Sequence, residues 1–434
     1  MKKRIVCTIL ILLFLISIPC YAEQLDAVPE ITARNVVLVN TNTGATAYSL
    51  APDEKVYPAS VTKLMTLLVA IEHIEDMEAV VTVDESCYDD LVIGSSNMAL
   101  KDGEQLRVID LLYGIALSSA NEAANAMAQY ISGSIPDYVE LMNQKASELG
   151  ANNTHFANTH GLQDENHYTT AADMAIIAKA AFSNPTIREL TSTVSYVIEP
   201  TNKTLNKRTL VTTNNLINSN TQTYYKYAIC GKTGSTTAAG YNLVSLAKKG
   251  DIEFLLVAMN VEKVSGGSNT VFADSKKLYQ WAFDNYTYTR IINEQDLITE
   301  VKVELSAKGD HLVLTPAKSI SQVIPNNLDV SQLERKITTD PVIYAPVKKG
   351  DVLGKLVLEK DGVVYGEVEL VSKSDVSRST VLYYLHLIKT FFSNIWVRII
   401  CIILAVLIIL YIIVMINNNR RRKRRRRLKR RIKF

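Results

Sequence analysis

Residues 58–66, with the sequence PASVTKLMT, place a serine and a lysine three positions apart at the start of a helix predicted over residues 60–73. Residues three apart lie on one face of a helix, so Lys63 is expected to reach the hydroxyl of Ser60. A lysine amine that burial and a nearby cation keep neutral can take the serine proton. The helix N-terminus also places backbone N–H groups near the nucleophile. Apolar residues follow on one face of the helix, namely Leu64, Leu67, Leu68 and Ile71.

A second short motif, Ser119-Ala120-Asn121, brings a hydroxyl and an amide close together within LLYGIALSSANEAANAMA, residues 111–128. The surrounding apolar pattern predicts a helix over residues 108–130. The hydroxyl can relay a proton to a leaving amine, and the amide can hold the peptide group of a substrate. A similar tripeptide at residues 95–97, Ser-Ser-Asn, shows that this pattern is weak on its own.

A third motif, Lys232-Thr233-Gly234, occurs once and precedes a strand predicted over residues 241–248. Lys232 offers a fixed cation and Thr233 a hydroxyl, which together suit a substrate carboxylate. Gly234 lets the backbone and a substrate approach closely. A second Ser-x-x-Lys pattern at residues 245–248 falls inside the predicted strand. Residues three apart face opposite ways on a strand, so we interpret that copy as chance.

Four blocks of sequence resemble, in their order along the chain, the low-molecular-mass penicillin-binding proteins of peptidase family S11, the D-alanyl-D-alanine carboxypeptidases. The blocks are PASVTKLMT, SSANEAANAMA, NTHFANTHGLQDENHYTTAADMA and KTGSTTAAGYNL, and the resemblance covers approximately residues 30–285. It implies an α+β fold with a β-lactamase/transpeptidase-like catalytic domain, in which helices flank an antiparallel sheet. A small all-β sandwich domain is expected to follow.

The resemblance implies acyl transfer on peptidoglycan stem peptides that end in D-Ala-D-Ala. Ser60 would be the acylated nucleophile and Lys63 its general base, with Ser119 as the third catalytic residue. The substrate-binding residues would be Asn121, Lys232, Thr233, Gly234 and Ser235. Backbone N–H groups of Ser60 and Ser235 would form the oxyanion hole. His160 would tune the site as an accessory residue. The last D-alanine would leave and water would free the enzyme, whereas β-lactams, which mimic the dipeptide, would trap Ser60.

Two positions depart from the family pattern. Cys230 lies two places before the motif lysine, where glycine is frequent, and Glu122 follows the motif asparagine, where aspartate is common. Neither change removes a reacting group. Cys87 and Cys230 are the cysteines that would face an oxidising exterior, and the sequence leaves open whether they pair.

The chain is predicted to divide into six segments. These are a signal peptide (1–22), the catalytic domain (23–290), the β-sandwich domain (296–375), a juxtamembrane segment (380–394), a transmembrane helix (395–416) and a basic cytoplasmic tail (417–434). Further elements are predicted in the catalytic domain: a hairpin at 35–48, helices at 136–149, 170–182 and 272–283, and a strand at 252–261.

Both ends of the chain indicate a membrane protein. A basic start, an apolar run over residues 5–18 and the tripeptide Cys20-Tyr21-Ala22 form a secretory signal, with an uncleaved anchor as the alternative. At about 1.5 Å per residue, residues 395–416 span roughly 33 Å as a helix, enough to cross a bilayer. The positive-inside rule keeps the following basic tail in the cytoplasm. We therefore expect a single-pass protein of a bacterial cell membrane, with its catalytic domain outside and its anchor in contact with membrane lipids.

The net charge of +3 hides an uneven distribution. Residues 420–434 carry twelve Lys and Arg residues and no acid, and residues 1–22 carry three and no acid, which leaves residues 23–419 with a net charge of −12. An acidic body argues against nucleic acid as a partner. His155, His160 and His167 lie close in sequence, but their spacing fits no metal motif, so no metal or other cofactor is expected.

Two alternative functions share part of this sequence evidence. A β-lactamase would carry the same three motifs but would need fast deacylation, and no clear ExxLN-type stretch supplies a water-activating glutamate. A catalytically idle wall-binding scaffold would share the anchor and the β domain. The intact set of motifs argues against the second alternative.

Overall fold

The structure is a computed structural model that describes residues 25–262 and 270–431, so the predicted signal peptide lies outside the described residues. The chain divides into two compact units. The first unit contains the described residues up to Ile291, together with Ser321–Leu333 and Glu359–Gly366. The second contains Ile292–Ile320, Glu334–Leu358 and the described residues from Glu367 onward.

An antiparallel five-stranded sheet forms the centre of the first unit. The strands up to residue 262 are β1 (Asn35–Asn40), β2 (Thr46–Leu50), β3 (Val80–Thr82), β4 (Gln105–Arg107), β5 (Ser195–Ile198), β6 (Arg208–Val211), β7 (Ala228–Thr236), β8 (Gly240–Lys249) and β9 (Ile252–Val261). The order in the central sheet is β2-β1-β9-β8-β7, and every neighbouring pair is antiparallel. β3 pairs with β4, and β5 with β6, in two short ribbons.

Helices cover both faces of this sheet. They are α1 (Lys63–His73), α2 (Val108–Tyr113), α3 (Asn121–Ser132), α4 (Ile135–Leu149), α5 (Ala171–Ser183), α6 (Pro185–Ser192) and α7 (Thr270–Asn285). The paired residues Val37 and Val257 belong to a core shared with α1 to α6, whereas the next pair, Leu38 and Leu256, belongs to a core shared with α7. Successive strand residues point to opposite faces, so the apolar runs of β1 and β9 bury both sides.

Most predicted elements of this unit are confirmed. The hairpin at 35–48 corresponds to β1 and β2, the strands at 241–248 and 252–261 to β8 and β9, and the helices at 136–149, 170–182 and 272–283 to α4, α5 and α7. The helix predicted from residue 60 begins with a 3-10 turn, Ala59–Thr62, before α1. These elements were predictable because each buries an apolar face of its own.

The helix predicted over residues 108–130 is wrong as a single element. A π-helical turn, Gly114–Ser118, follows α2, and Ser119 adopts a left-handed φ of 58° before α3 begins. The N–H of Asn121 donates to the carbonyl oxygen of Ser96 at 3.0 Å. This contact with a separate segment takes the place of a local helical hydrogen bond, and apolar periodicity does not reveal such a replacement.

The C-terminal part of the chain contains an all-β domain. The strands of this part of the chain are β10 (Tyr286–Ile292), β11 (Thr299–Glu304), β12 (His311–Pro316), β13 (Ile320–Pro325), β14 (Glu334–Thr339), β15 (Ile343–Tyr344), β16 (Val352–Lys360) and β17 (Val363–Ser372). Of these, β10 and β13 fall mainly within the first unit. A six-stranded sheet has the order β14-β16-β17-β12-β11-β15, and β10 pairs with β13. The short alternating segments thus form strands, as the sequence predicted.

Two helices follow the β domain. The first, α8 (Thr380–Ser393), is capped by Ser379, whose Oγ accepts a hydrogen bond from the N–H of Leu382. The second, α9 (Ile395–Arg431), contains a stretch, Ile395–Lys423, that is long and apolar enough to cross a membrane. None of its most apolar window is buried within the protein.

Candidate active site

Ser60 lies in the 3-10 turn that leads into α1, and strand β8 holds this turn in place. Ala59 has a left-handed φ of 50°, an uncommon conformation for a residue with a side chain. The Nδ2 atom of Asn242 donates to the carbonyl oxygens of Tyr57 and Pro58, both at 2.9 Å. A side-chain amide from the central sheet therefore fixes the backbone just before Ser60.

Lys63 occupies the centre of the site and is fully buried. Its Nζ atom lies 3.2 Å from Oγ of Ser60, 2.7 Å from Oδ1 of Asn121 and 2.7 Å from the carbonyl oxygen of His160. A neutral amine has two N–H donors and one lone pair. Two of the three contacts are to pure acceptors, so a neutral Lys63 directs its lone pair to the Ser60 hydroxyl.

The surroundings of Lys63 favour this neutral form. Burial lowers the pKa of the Lys63 amine well below its ordinary value, and the positive charge of Lys232 lowers it further. The negative charge of Glu122 opposes both effects. The sequence predicted burial and a neighbouring cation as the two causes, and the structure contains both.

Ser119 and Asn121 flank the break between α2 and α3. The left-handed turn at Ser119 places its Oγ atom 2.9 Å from Nζ of Lys232, although 113 positions separate the two residues. Asn121, at the start of α3, contacts Lys63. The second motif thus connects the two buried lysines, one through each of its polar side chains.

Lys232, Thr233 and Gly234 lie on β7, at the edge of the central sheet. Burial lowers the pKa of the Lys232 amine to about 7. The hydroxyl of Thr233 lies 2.5 Å from that of Thr213. A Cβ atom on Gly234 would lie 3.0 Å from the backbone N of Ser60, so β7 passes directly beside the serine turn.

His160 contributes its backbone more directly than its ring. Its carbonyl oxygen accepts from Lys63, and the next residue, Gly161, has a φ of +88° at a point where a Cβ would lie 1.9 Å from the carbonyl oxygen of Ala59. Nδ1 of His160 accepts from the N–H of Leu162, so Nε2 carries the proton and donates to Oδ2 of Asp90 at 2.9 Å. Burial lowers the pKa of the His160 imidazole.

A cavity of about 260 Å³ opens over the serine. Five of the predicted site residues line it: Ser60, Ser119, Thr233, Gly234 and Ser235. The other predicted residues of the three motifs, Lys63, Asn121 and Lys232, are buried next to it through the contacts described above. The ring of His160 lies instead in an adjoining groove that shares Ser235 with the cavity.

The cavity also contains residues that the sequence did not indicate. Thr213 and Asn215 line it from the loop after β6, and Asn242 lines it from β8. Ser96 lines it as well, although the tripeptide at 95–97 served only to show that the second motif is weak on its own. That repeated pattern was the only sequence signal for Ser96, and no local signal pointed to the other three.

His155 and His167 each contact a nearby residue. His155 contacts the carbonyl oxygen of Asn166, and Nε2 of His167 lies 2.8 Å from the hydroxyl of Thr62. Within residues 25–262 and 270–431, no group of three or more His, Cys, Asp or Glu side chains is placed to hold a metal ion. Cys87 and Cys230 are both buried and free, so they do not pair.

Known families match both parts of the chain. A family profile described as D-alanyl-D-alanine carboxypeptidase, peptidase S11, matches residues 22–263. A second profile, described as the C-terminal domain of penicillin-binding protein 5, matches residues 286–378.

Individual relatives match over most of their length. D-alanyl-D-alanine carboxypeptidase DacF of Bacillus subtilis is 34% identical over 358 residues, which cover 81% of this chain and 88% of the relative. D-alanyl-D-alanine carboxypeptidase DacA of Haemophilus influenzae is 34% identical over 370 residues, with 81% and 87% covered. The solved structure of penicillin binding protein 5 from Haemophilus influenzae superimposes with a TM-score of 0.63 at 31% identity, over 81% of this chain and 100% of that one.

Proposed function

The chain belongs to the D-alanyl-D-alanine carboxypeptidases of peptidase family S11, and from that premise we propose that it removes the terminal D-alanine of peptidoglycan stem pentapeptides through an acyl-enzyme on Ser60. The observation that carries this proposal is the position of Lys63. A buried amine with a lowered pKa lies 3.2 Å from the serine hydroxyl and has its two N–H donors directed to other acceptors.

Acylation begins when Nζ of Lys63 takes the proton of Ser60 Oγ, which attacks the carbonyl carbon between the two D-alanines. The new Oγ–C bond produces a tetrahedral oxyanion, for which the backbone N–H groups of Ser60 and Ser235 are the proposed donors. The close passage of Gly234 beside the N of Ser60 supports this pairing, because it brings β7 to the serine turn.

Release of D-alanine requires a proton on the leaving nitrogen. Ser119 is suited to deliver it, since its hydroxyl lies 2.9 Å from Lys232 and faces the cavity. The proton that Lys63 took from Ser60 replaces the one that Ser119 gives up, so Lys63 becomes neutral again. The C–N bond then breaks, free D-alanine leaves, and the shortened peptide stays on Ser60 as an ester. Neutral Lys63 then takes a proton from water, which attacks the ester carbonyl. The C–Oγ bond breaks, and Lys63 returns the proton to Oγ, which restores the Ser60 hydroxyl.

Recognition of the terminal carboxylate is assigned to Lys232 together with the hydroxyls of Thr233 and Thr213. The contact between these two hydroxyls supports the assignment, because both can turn toward one anion in the cavity. A bound carboxylate would favour the protonated form of Lys232, whose pKa burial has lowered to about 7. Asn121 and His160 are proposed as supporting residues that hold Lys63 in place.

The test uses full-length protein in detergent with two assays. We expect release of D-alanine from a stem pentapeptide, and covalent labelling by a fluorescent penicillin that Ser60→Ala abolishes. No labelling of the wild type would contradict the proposal, and binding of peptidoglycan without turnover would favour the scaffold alternative. A penicillin acyl-enzyme that decays within seconds would favour the β-lactamase alternative, whereas decay over minutes to hours fits the carboxypeptidase.

A membrane location is part of the same proposal. The apolar helix Ile395–Lys423 would anchor the protein, with the basic tail in the cytoplasm and the catalytic unit outside, after residues 1–22 direct export. Protease added to sealed right-side-out membranes should digest the catalytic unit and spare a small fragment that carries the tail. Protection of the catalytic unit under these conditions would contradict the orientation.

A further inference from the structure

Glu122 is a buried carboxyl that the reaction described above does not use. It follows Asn121 in the first turn of α3, and only 1% of its surface is exposed. Its Oε1 atom accepts a hydrogen bond from the N–H of Met98 at 2.7 Å and a longer one from the N–H of Leu100 at 3.5 Å. Its Oε2 atom is also buried and has no hydrogen-bond partner among the described residues.

Through Oε1, Glu122 helps to fix a segment that forms one wall of the cleft. Ser96 lines the cavity, and its carbonyl oxygen accepts from the N–H of Asn121 at 3.0 Å. Met98 packs over Gly114, where a Cβ would lie 2.1 Å from the Met98 sulfur. Residues 96–100 are thus held at three points against the residues that carry Ser119 and Asn121.

The charge of Glu122 acts on buried Lys63. Lys63 and Lys232 are both fully buried, and Glu122 is the acidic side chain whose charge opposes the lowered pKa of Lys63. Burial raises the pKa of the Glu122 carboxyl itself, while hydrogen bonds from the backbone and the charge of Lys63 act in the opposite direction. A carboxylate that is neither exposed nor fully hydrogen-bonded is costly in free energy, so its presence needs a compensating role.

We propose that Glu122 is a positioning residue for acylation, which holds the Ser96–Leu100 wall with one carboxylate oxygen and supplies a negative charge that acts on buried Lys63 against the positive charge of Lys232. This inference rests on the proposed function of Ser60 and Lys63. In this proposal, the charge of Glu122 keeps Lys63 basic enough to take the proton of Ser60. Without that charge, burial and the charge of Lys232 lower the basicity of Lys63 unopposed.

Few other groups around this pair change charge near neutral pH. Burial lowers the pKa of His167 to about 3 and also lowers that of His160, so both are neutral there. Burial, with a smaller effect from the charge of Glu122, raises the pKa of Tyr88 to about 12 and that of Cys87 to about 11, so both stay protonated near neutral pH. Asp90 contacts His160 and has a lowered pKa, so its charge is constant across the same range. The pH dependence of the acylation rate on the acidic side therefore reports mainly on Lys63 and its two charged neighbours, Glu122 and Lys232.

The test is the pH dependence of the second-order rate constant for labelling by fluorescent penicillin, measured on full-length wild type, Glu122→Gln and Glu122→Asp. Acylation requires neutral Lys63, so the rate rises as pH increases through the pKa of Lys63. Glu122→Gln keeps an acceptor for Met98 but removes the charge, which lowers the pKa of Lys63. We expect its acidic limb to move to lower pH by roughly one unit, with a reduced plateau because the base is weaker.

Glu122→Asp separates the charge from the hydrogen bonds. It keeps the negative charge on a shorter side chain that does not reach both N–H groups, so the limb should stay near the wild-type pH while the plateau falls several-fold. If Glu122→Gln does not fold, Glu122→Asp still tests the proposal. Because this variant keeps the negative charge, an acidic limb that moves to lower pH in Glu122→Asp would overturn the proposal. A Glu122→Gln profile that superimposes on the wild-type profile would also overturn it. Absence of labelling in the wild type would instead defeat the proposed function.

Discussion

The Nζ atom of Lys63 lies 3.2 Å from the Oγ atom of Ser60, and these two residues are three positions apart across the junction between a 3-10 turn and α1. Local helical geometry brings them together, but it does not make the lysine a base. That property comes from complete burial and from the charge of Lys232, which lies on β7. The catalytic role proposed for the pair therefore depends on the packing of the sheet edge against the helix.

Replacement of Lys63 by arginine should abolish most acylation. A guanidinium stays protonated at every accessible pH, so it cannot take the Ser60 proton. We expect the rate constant for penicillin labelling to fall by roughly a hundredfold or more, the usual contribution of a general base. Lys248→Arg is the matched control, because it changes the exposed lysine of the second Ser-x-x-Lys pattern, on β8. An equal loss in both variants would contradict the assignment.

Burial of Lys232 should make stability depend on pH. Its pKa is about 7 in the folded protein and 10.5 as the ordinary value, so between these values the unfolded chain binds more protons and stability rises with pH. Lys232→Met removes this contribution. We expect the variant to gain most relative to wild type below about pH 7 and the difference to shrink toward pH 10.5. Stability would be measured by denaturant unfolding across this pH range. If the curves of wild type and Lys232→Met run parallel, the pKa of Lys232 is not lowered in the folded protein.

Thr213 should contribute to substrate binding although no motif contains it. Thr213→Val removes the hydroxyl that contacts Thr233 but keeps the shape of the side chain. Loss of one hydrogen bond is worth about 0.5–1.5 kcal/mol, so KM for D-alanine release should rise up to roughly tenfold with kcat little changed. Thr209→Val, at an exposed position on β6, serves as the control. A fall in kcat at constant KM would assign Thr213 to the chemical step instead.

Gly234 should tolerate no side chain. A Cβ there would lie 2.9 Å from the carbonyl oxygen of Pro58 and 3.0 Å from the N of Ser60, and backbone atoms cannot move aside cheaply. We expect Gly234→Ala to cost about 1–3 kcal/mol of unfolding free energy and to slow acylation, because the serine turn must shift. Gly250→Asn, at a positive-φ turn with open space, is the control and should change neither quantity much. Normal acylation in Gly234→Ala would show that the turn has more room than its geometry indicates.

Much of the fold could be predicted because its elements carry local patterns. α4 buries one apolar face at helical spacing and β9 is a continuous apolar run buried on both sides, and the bounds of both agree closely with the predicted ones. The break at Ser119 could not be predicted, since the apolar pattern continues through it while a hydrogen bond to Ser96 interrupts the helix. The predicted helices and strands thus agree with the structure where the burial of apolar residues decides the element. They differ where a tertiary contact competes with the local helical hydrogen bonds.

The candidate site divides in the same way. The sequence by itself determined which side chains are proposed to react, because Ser60 and Lys63 share one helical turn and Lys232-Thr233-Gly234 is a contiguous tripeptide. Only the tertiary structure decided which groups surround them. Lys63 forms hydrogen bonds with Asn121 and His160, which lie 58 and 97 positions away in the sequence. Asn242 donates a hydrogen bond to Tyr57, 185 positions before it, next to the serine turn. Local periodicity carries no information about such contacts or about the burial that shifts the pKa values of the lysines, because both arise only when separate elements pack together.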